Sequence, residues 1–209
     1  MDGDSGAYAS IGRSLNGKDA EVRVGFMRIL VERLHEMPDG ARQEVIARIG
    51  ADVIEGVESA PVVGWLPADV NFRTVEALTA VVGREGTDEF HVTLYETLWE
   101  EAAFLRPLIQ GVMRVGGRDP GTYLKQLPRG YPLIFRNFGR WSVVERQAAS
   151  IELELHGAPP RCFAADGSWL RCVVSSMGTI FPLARREGRG ELVSANAGTG
   201  RARFRFAWS

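Results

Sequence analysis

The spacing of the apolar residues changes near Arg140, from a helical repeat to the two-residue repeat of a β-strand. Before that point, apolar positions recur every three to four residues, which is typical of amphipathic helices. After it, segments 151–155 and 201–208 alternate apolar with polar or charged residues. Strands with this alternation bury one face only, so the sheet that they form needs helices to cover it.

The order of these segments predicts an α+β fold. The N-terminal two-thirds of the chain is helical, and it is followed by strands at 141–146 and 151–155, a helix at 168–180, and strands at 191–197 and 201–208. Two hairpins on either side of one helix make a β-β-α-β-β unit, which we expect to be an antiparallel sheet packed against helices.

Within the helical part, apolar stripes and helix-ending residues separate several helices. Residues 22–34 carry the first stripe, and a second stripe at 45–58 contains Gly50 and Gly56. An extended connector at 60–67 follows. The further predicted helices lie at 69–83, 88–104, 108–113 and 119–127, with one more helical stretch after Pro128.

The ends of the chain and its composition predict a soluble, cytoplasmic protein. Residues 1–18 lack an apolar period and are expected to be flexible, which leaves residues 19–209 as a single domain. No apolar run approaches the length of a membrane span, and the first residues do not match a signal peptide. The two cysteines are too few for a disulfide framework.

Charge is distributed unevenly along the chain. The net charge is −1, but residues 1–104 hold 9 basic and 19 acidic residues, whereas residues 105–209 hold 16 basic and 7 acidic residues. Segregated charges suit contact with a protein partner or with a second copy of the chain. Nucleic-acid binding is not expected, because it needs a basic surplus with exposed aromatic side chains.

The sequence contains none of the common catalytic signatures. It lacks a Gly-rich phosphate loop ending in Gly-Lys-Ser/Thr, a Gly-x-Ser-x-Gly, a His-Glu-x-x-His, and a dinucleotide fingerprint after a strand. Its three histidines leave little scope for a histidine-centred catalytic site. We therefore predict that the protein is not an enzyme and has no catalytic residues.

Short turn and capping motifs mark the joints between the predicted elements. They are Gly64-Trp65-Leu66-Pro67, Gly116-Gly117-Arg118-Asp119-Pro120 before Leu127-Pro128 and Tyr131, Phe138-Gly139-Arg140, the segment from Gly157 through Cys162, and the aromatic last strand ending in Trp208. Over residues 20–208 this pattern resembles an uncharacterised paralogous family expanded in myxobacteria, which implies no particular activity. The order of elements is more distantly similar to vinyl-reductase-like sensor domains, to trafficking-complex subunits of the same fold, and to heme nitric oxide/oxygen-binding domains. Those relatives bind apolar ligands, heme or protein partners.

The resemblance to the heme domains implies an axial ligand, and His91 is the candidate because it lies on the apolar helix at 88–104. Those domains also carry a Tyr-x-Ser-x-Arg signature that contacts the heme propionates, and this sequence has no such triplet. A lone histidine beside an apolar face is more often a hydrogen-bonded core residue. We therefore expect no heme.

Zinc is the other metal that the resemblance implies, near the junction of strand and helix. Four candidate ligands fall there, namely His156, Cys162, Asp166 and Cys172. Structural zinc sites use short, repeated ligand spacings, and nine residues separate the two cysteines. The prediction is that the protein has no metal site and no cofactor.

An apolar pocket between the helices and the sheet is the broader possibility for binding. Its candidate lining consists of His91 and five aromatic residues, Trp65, Tyr95, Trp99, Tyr131 and Phe135. The alternative is that these side chains simply fill the core, since aromatic residues at helical spacing usually pack inside.

The last strand carries a basic stripe formed by Arg201, Arg203 and Arg205. One interpretation is a basic interaction face. The other is a solvated sheet face on which the arginines pair with Glu152 and Glu154 across the strands.

These patterns favour a non-enzymatic regulatory or adaptor domain that acts through protein–protein contact or self-association, with a homodimer expected. The alternative is an intracellular sensor domain that holds an apolar or aromatic small molecule in a pocket between helix and sheet.

Overall fold

The computed structural model describes residues 19–102, 110–111, 117, 119–164 and 167–209. The apolar stripes of the first part form α1 (Val24–His35), α2 (Asp39–Ile49), α3 (Ala51–Ser59) and α4 (Asp69–Glu101). The segment predicted to be flexible, 1–18, lies outside the described residues. So does most of the helix predicted at 108–113, of which residues 110 and 111 are described and are helical.

Two glycines decide where the predicted helices break. The stripe at 45–58 is divided into α2 and α3 at Gly50, which has φ of 104°. The helices predicted at 69–83 and 88–104 form one element, α4, with a kink at Gly83, where φ is 74°. Residues with a Cβ rarely adopt such positive φ angles, so glycine makes both changes of direction possible. Although α4 has 33 residues, no helix in the described part of the chain is long and apolar enough to cross a membrane.

A small sheet that the sequence did not indicate joins the start of the helical part to its end. Strand β1 (Glu21–Arg23) pairs antiparallel with β2 (Trp65–Pro67) and with β3 (Phe135–Arg136). Val22, predicted to lie in the first helix, therefore belongs to a strand. The strands have three, three and two residues, too few for alternation to be recognised, and their pairing joins distant parts of the chain.

Between α4 and the large sheet the chain forms short helical segments. These are α5 (Pro120–Leu124), α6 (Leu127–Gly130) and a 3-10 turn at Tyr131–Leu133. Asp119 caps α5 by accepting a hydrogen bond from the Gly121 amide at 3.1 Å. The helical stretch predicted after Pro128 ends early, because Phe135 enters β3.

The C-terminal part confirms the predicted β-β-α-β-β order. Strands β4 (Arg140–Gln147) and β5 (Ser150–His156) form the first hairpin, and β6 (Gly188–Asn196) and β7 (Arg201–Trp208) form the second. The antiparallel order in the sheet is β4-β5-β7-β6. Between the hairpins lie a 3-10 turn at Pro160–Phe163, α7 (Ser168–Gly178) and α8 (Ile180–Leu183). The fold class is therefore α+β, as predicted.

One face of this sheet belongs to the core. Six apolar residues at alternating positions of β5 and β7 are buried, namely Ile151, Leu153, Leu155, Ala202, Phe204 and Phe206, and Trp208 at the end of β7 is half-buried. Helix α7 packs against the sheet and also against α4, so it has the helical body on one side and the strands on the other. This central position of α7 creates the interior site described next.

Candidate functional site

His91 is the most unusual polar residue of the interior. It lies in the second half of α4, and 4% of its surface is exposed. Its Nδ1 lies 2.8 Å from the carbonyl oxygen of Thr87, one helical turn earlier. Since a carbonyl can only accept, Nδ1 carries the proton that is donated.

The protonation of this ring follows from its surroundings. Burial lowers the pKa of His91, while the hydrogen bond to Thr87 and the charge of Asp88 act in the opposite direction. The imidazole is therefore neutral near pH 7, and its Nε2 atom holds a free electron pair. Metal-binding histidines are commonly oriented in this way, with the other ring nitrogen bonded to a backbone carbonyl.

A small cavity lies beside His91, between α1, α4 and α7, and we refer to it as the aromatic cavity. Its volume is about 20 Å³, which is room for one water molecule. Its lining consists of Phe26, Asn71, His91, Tyr95, Tyr131, Phe135, Trp169, Cys172, Val173, Ser176 and Met177. Of the lining residues, Tyr131 belongs to the 3-10 turn and Phe135 to β3.

Two tyrosines of the cavity remain protonated at neutral pH. Burial raises the pKa of Tyr95, with the side chain of Ser176 opposing the shift. Burial also raises the pKa of Tyr131 well above its usual value. Both hydroxyl groups can therefore donate a hydrogen bond into the interior.

Four of the six residues predicted for a pocket lie around this cavity, namely His91, Tyr95, Tyr131 and Phe135. The other two do not line it. Trp65 lies on β2, half-buried, with the guanidinium carbon of Arg136 4.6 Å from its ring centre. Trp99 packs on Tyr95 and donates its indole N–H to the Thr179 hydroxyl at 2.8 Å.

The positions of Trp65 and Trp99 in the fold explain why neither lines the cavity. Arg23 is directly opposite Trp65 in the small sheet, and its guanidinium carbon also lies within 5.7 Å of the indole centre. The side chains of Trp65, Arg23 and Arg136 therefore cluster on the same side of that sheet, whereas Phe135 of β3 is buried. Trp99 is two turns beyond His91 on α4, so it contacts the end of α7 and not the cavity.

The residues that sequence reasoning missed come mainly from α7 and from the start of α4. Asn71 accepts a hydrogen bond from the indole N–H of Trp169 at 3.0 Å, and its amide nitrogen lies 3.9 Å from Sδ of Met27. The only signal in the sequence was a polar residue on the apolar side of a predicted helix. Such a residue is informative when it is buried, but its burial depends on packing against α7.

The basic stripe of β7 is paired with carboxylates. Arg205 binds Glu152 at 2.5 Å and Glu191 at 3.4 Å, and Arg203 lies 3.7 Å from Glu154. Arg201 is exposed opposite His156. The acids balance much of the stripe's charge, which matches the interpretation as a solvated sheet face better than that as a basic interaction face.

The four residues considered as candidate zinc ligands do not form a cluster within the part of the chain that the structure describes. No group of three or more His, Cys, Asp or Glu residues there is arranged to hold a metal ion. Asp166 lies outside the described residues. Cys162 and Cys172 are both buried, and burial raises the pKa of the Cys162 thiol well above its usual value.

A serine, a histidine and a glutamate also meet on the sheet, but in a different geometry from a hydrolase triad. Oγ of Ser142 lies 2.8 Å and Oε2 of Glu154 lies 3.0 Å from the same atom, Nε2 of His156. A triad places the nucleophile on one ring nitrogen and the acid on the other. Because both partners contact one nitrogen, the carboxylate competes with the serine and does not orient the ring towards it.

Comparison with solved structures identifies the fold. An unliganded Fe(II) H-NOX protein from K. algicida has a TM-score of 0.61 and 12% identity, with 90% of this chain and 96% of that chain covered. An oxygen-binding H-NOX domain related to soluble guanylate cyclases, solved as its oxygen complex, has a TM-score of 0.59, 13% identity, and coverage of 90% and 95%. A single-residue variant of the H-NOX protein from T. tengcongensis has a TM-score of 0.58, 10% identity, and coverage of 90% and 97%. No family model and no curated protein matches the chain.

These structures correct the prediction that the protein has no cofactor. The solved structures that share its fold include proteins described by their iron or their heme, so absence of a cofactor is not the expectation that the fold supports. The donor set agrees with heme, because the buried, neutral His91 has a free electron pair on Nε2 and the surrounding walls are aromatic. The cavity volume of about 20 Å³ is far smaller than a porphyrin, so binding would require these side chains to move apart. The chain thus has the fold of the H-NOX domains, with a buried, neutral histidine beside a nearly filled cavity.

Proposed function

We propose that this chain is a small-molecule sensor domain whose ligand binds in the aromatic cavity. The observation that carries the proposal is His91, a neutral imidazole in the interior whose Nδ1 is occupied by the Thr87 carbonyl. Burying a polar side chain costs stability unless the chain gains something from it. An imidazole whose Nδ1 is bonded to a backbone carbonyl is oriented to bind a metal through Nε2. The alternative interpretation of the sequence thus replaces the adaptor as the leading one.

Heme is the group to test first, because the solved structures of this fold include heme proteins. An iron porphyrin supplies a metal centre at which diatomic gases bind. In this chain His91 would bind the iron through Nε2, and Phe26, Tyr95 and Phe135 would line the apolar site around the group. Met177 lines the cavity and Met27 lies beside Asn71. Their unbranched side chains adapt readily to new shapes, so they are the residues best able to make room.

Titration with hemin tests the proposal. Hemin is added to the purified chain under reducing conditions, and the Soret absorbance of the heme is followed. We expect saturation at one equivalent for the unaltered chain and for His35→Ala, whose histidine is exposed at the end of α1. His91→Ala is expected to lose the Soret band of histidine-bound heme, and added imidazole is expected to restore that band. Equal spectra for the two variants, or no saturable binding by the unaltered chain, would overturn the proposal.

Association with a protein partner or with a second copy stays a prediction. Sensor domains pass their signal to other proteins, so the two interpretations are compatible. Sedimentation velocity of the chain with and without hemin measures self-association directly.

A further inference from the structure

Two arginines and a histidine form one row across the outward face of the large sheet. Arg140 of β4 is directly opposite His156 of β5, and His156 is directly opposite Arg201 of β7. Residues that face each other in antiparallel strands point to the same side of the sheet. The neighbouring residues Leu155 and Ala202 are buried, so the row lies on the face away from α7. We refer to these three residues as the basic row.

The charge of the basic row is not balanced, in contrast to the rest of the stripe on β7. Arg203 and Arg205 both lie beside glutamates of β5. Within the part of the chain that the structure describes, neither Arg140 nor Arg201 forms a hydrogen bond or an ion pair, and both residues are exposed. Two unpaired guanidinium groups on one face repel each other, and an anion between them would remove that repulsion.

His156 is held in the middle of the row by two residues of the same sheet face. Its Nε2 atom lies 2.8 Å from Oγ of Ser142 and 3.0 Å from Oε2 of Glu154. Since a carboxylate only accepts, Nε2 carries a proton, and Nδ1 is the ring nitrogen left for a ligand. A neutral ring accepts at Nδ1 from a P–OH group, and a charged ring donates there to a phosphate oxygen.

The spacing of the strands allows the two arginines to reach one group. Neighbouring strands are about 4.8 Å apart, so the backbones at Arg140 and Arg201 are separated by about 10 Å. Both side chains are long enough for their guanidinium groups to meet above His156. The chain neighbours leave the row open, because each of its residues is preceded or followed by a glycine, namely Gly139, Gly157 and Gly200.

We propose that the basic row binds a phosphate group, held between the guanidinium groups of Arg140 and Arg201 above the imidazole of His156. A guanidinium binds phosphate or carboxylate oxygens through two parallel N–H bonds. One arginine already satisfies the two oxygens and the single charge of a carboxylate. A phosphate group has at least three free oxygens and up to two negative charges, so it can pair with both arginines at once. The site is separate from the aromatic cavity and does not depend on the proposed function.

Proton nuclear magnetic resonance with inorganic phosphate as the probe tests this site. The chain has three histidines, so the ring signals of His156 can be assigned with His156→Gln and told apart from those of His35 and His91. Phosphate is added at constant pH and constant ionic strength. We expect the His156 signals to shift until they saturate, while the signals of the other two histidines stay in place. A His156 signal that does not shift saturably would overturn the proposal.

Variants without one positive charge show which arginines hold the anion. Arg140→Gln and Arg201→Gln are each expected to weaken phosphate binding by about three- to fivefold, the upper range for one exposed ion pair. Arg189→Gln is the matched control, because Arg189 is exposed on the same sheet face, opposite Ala207 at the far end of β7. Unchanged affinity in both row variants, or an equal loss in the control, would overturn the proposal.

Two further anions test the choice of phosphate and its source. Acetate is expected to bind more weakly than phosphate, and equal or tighter binding of acetate would contradict a phosphate site. Phenyl phosphate carries the same group on a larger molecule. Tighter binding of phenyl phosphate than of inorganic phosphate supports a phosphorylated molecule as the ligand, and the reverse order supports free phosphate. Hemin titration of the same variants keeps the two proposals apart, since loss of phosphate binding alone leaves the sensor proposal intact.

Discussion

His91 should make the stability of this protein depend on pH below about 6.5. In the folded chain the ring is neutral, because burial lowers its pKa more than Thr87 and Asp88 raise it. In the unfolded chain an imidazole titrates near pH 6.5. Below that pH the unfolded state binds one more proton than the folded state. The contribution of His91 is therefore fully present above pH 6.5 and is lost as the pH falls.

The size of the effect follows from one proton. The free energy of unfolding falls by at most about 1.4 kcal/mol per pH unit while the folded ring stays neutral. Between pH 7.5 and pH 5.5 the loss due to His91 is accordingly about 1.4 kcal/mol at most, because most of it occurs below pH 6.5. Asp88 is held by Arg171 at 2.5 Å, so this carboxylate stays near the ring across the range.

Urea unfolding at pH 7.5, 6.5 and 5.5 measures this dependence. We expect His91→Gln to flatten the slope of the free energy of unfolding against pH. His91→Leu is a second variant for the case that the glutamine amide does not fit the interior, and it is expected to flatten this slope in the same way. His35→Gln, which replaces an exposed histidine, is the control with which the His91 variants are compared. The other titrating groups are common to all variants, so the difference in slope isolates His91. Parallel slopes for the unaltered chain and for both His91 variants would refute the buried, neutral ring.

Two further predictions concern the sheet and its covering helix. Phe204→Ala removes a fully buried ring whose centre lies 5.2 Å from that of Trp141, and it should lower the free energy of unfolding by about 3–5 kcal/mol. Its control is Arg205→Ala on the opposite face of β7, which should lower the free energy of unfolding far less. Gly190→Ala would place its Cβ 2.6 Å from Cε1 of Phe206 and 3.0 Å from Cγ1 of Val174, so a loss of about 1–3 kcal/mol is expected. The control for the second change is Gly178→Ala in α7, where no atom lies within 4 Å of the new Cβ and stability should stay equal or rise. Urea unfolding checks all four variants, and equal losses within either pair would contradict the packing described above.

Local patterns were sufficient for the large sheet and for α7. Alternation of apolar and charged residues in β5 and β7 reflects a sheet with one buried face, and that relation holds wherever the strand packs. The small sheet β2-β1-β3 was beyond such reasoning. Its strands are two or three residues long, and pairing between residues more than forty positions apart gives them their stability.

The candidate site, too, could be predicted from the sequence only in part. The apolar stripe of α4 was enough to single out His91 and Tyr95, since positions four residues apart lie on the same face of a helix. Their partners Asn71, Trp169 and Ser176 come from other turns and from α7, and nothing local to them signals a cavity. The kink at Gly83 also changes the direction of α4 between Asn71 and His91.

The sequence by itself determined the class of fold, the antiparallel hairpins and the helix that covers them, because each depends on the period of apolar residues along one segment. Only the tertiary structure decided that His91 and Tyr131 line a common cavity with α7, that Trp65 lies outside it, and that Arg203 and Arg205 of β7 lie beside acids. Those properties depend on which side chains meet across distant segments. The period of a sequence states which face of an element is buried, but not what it is buried against.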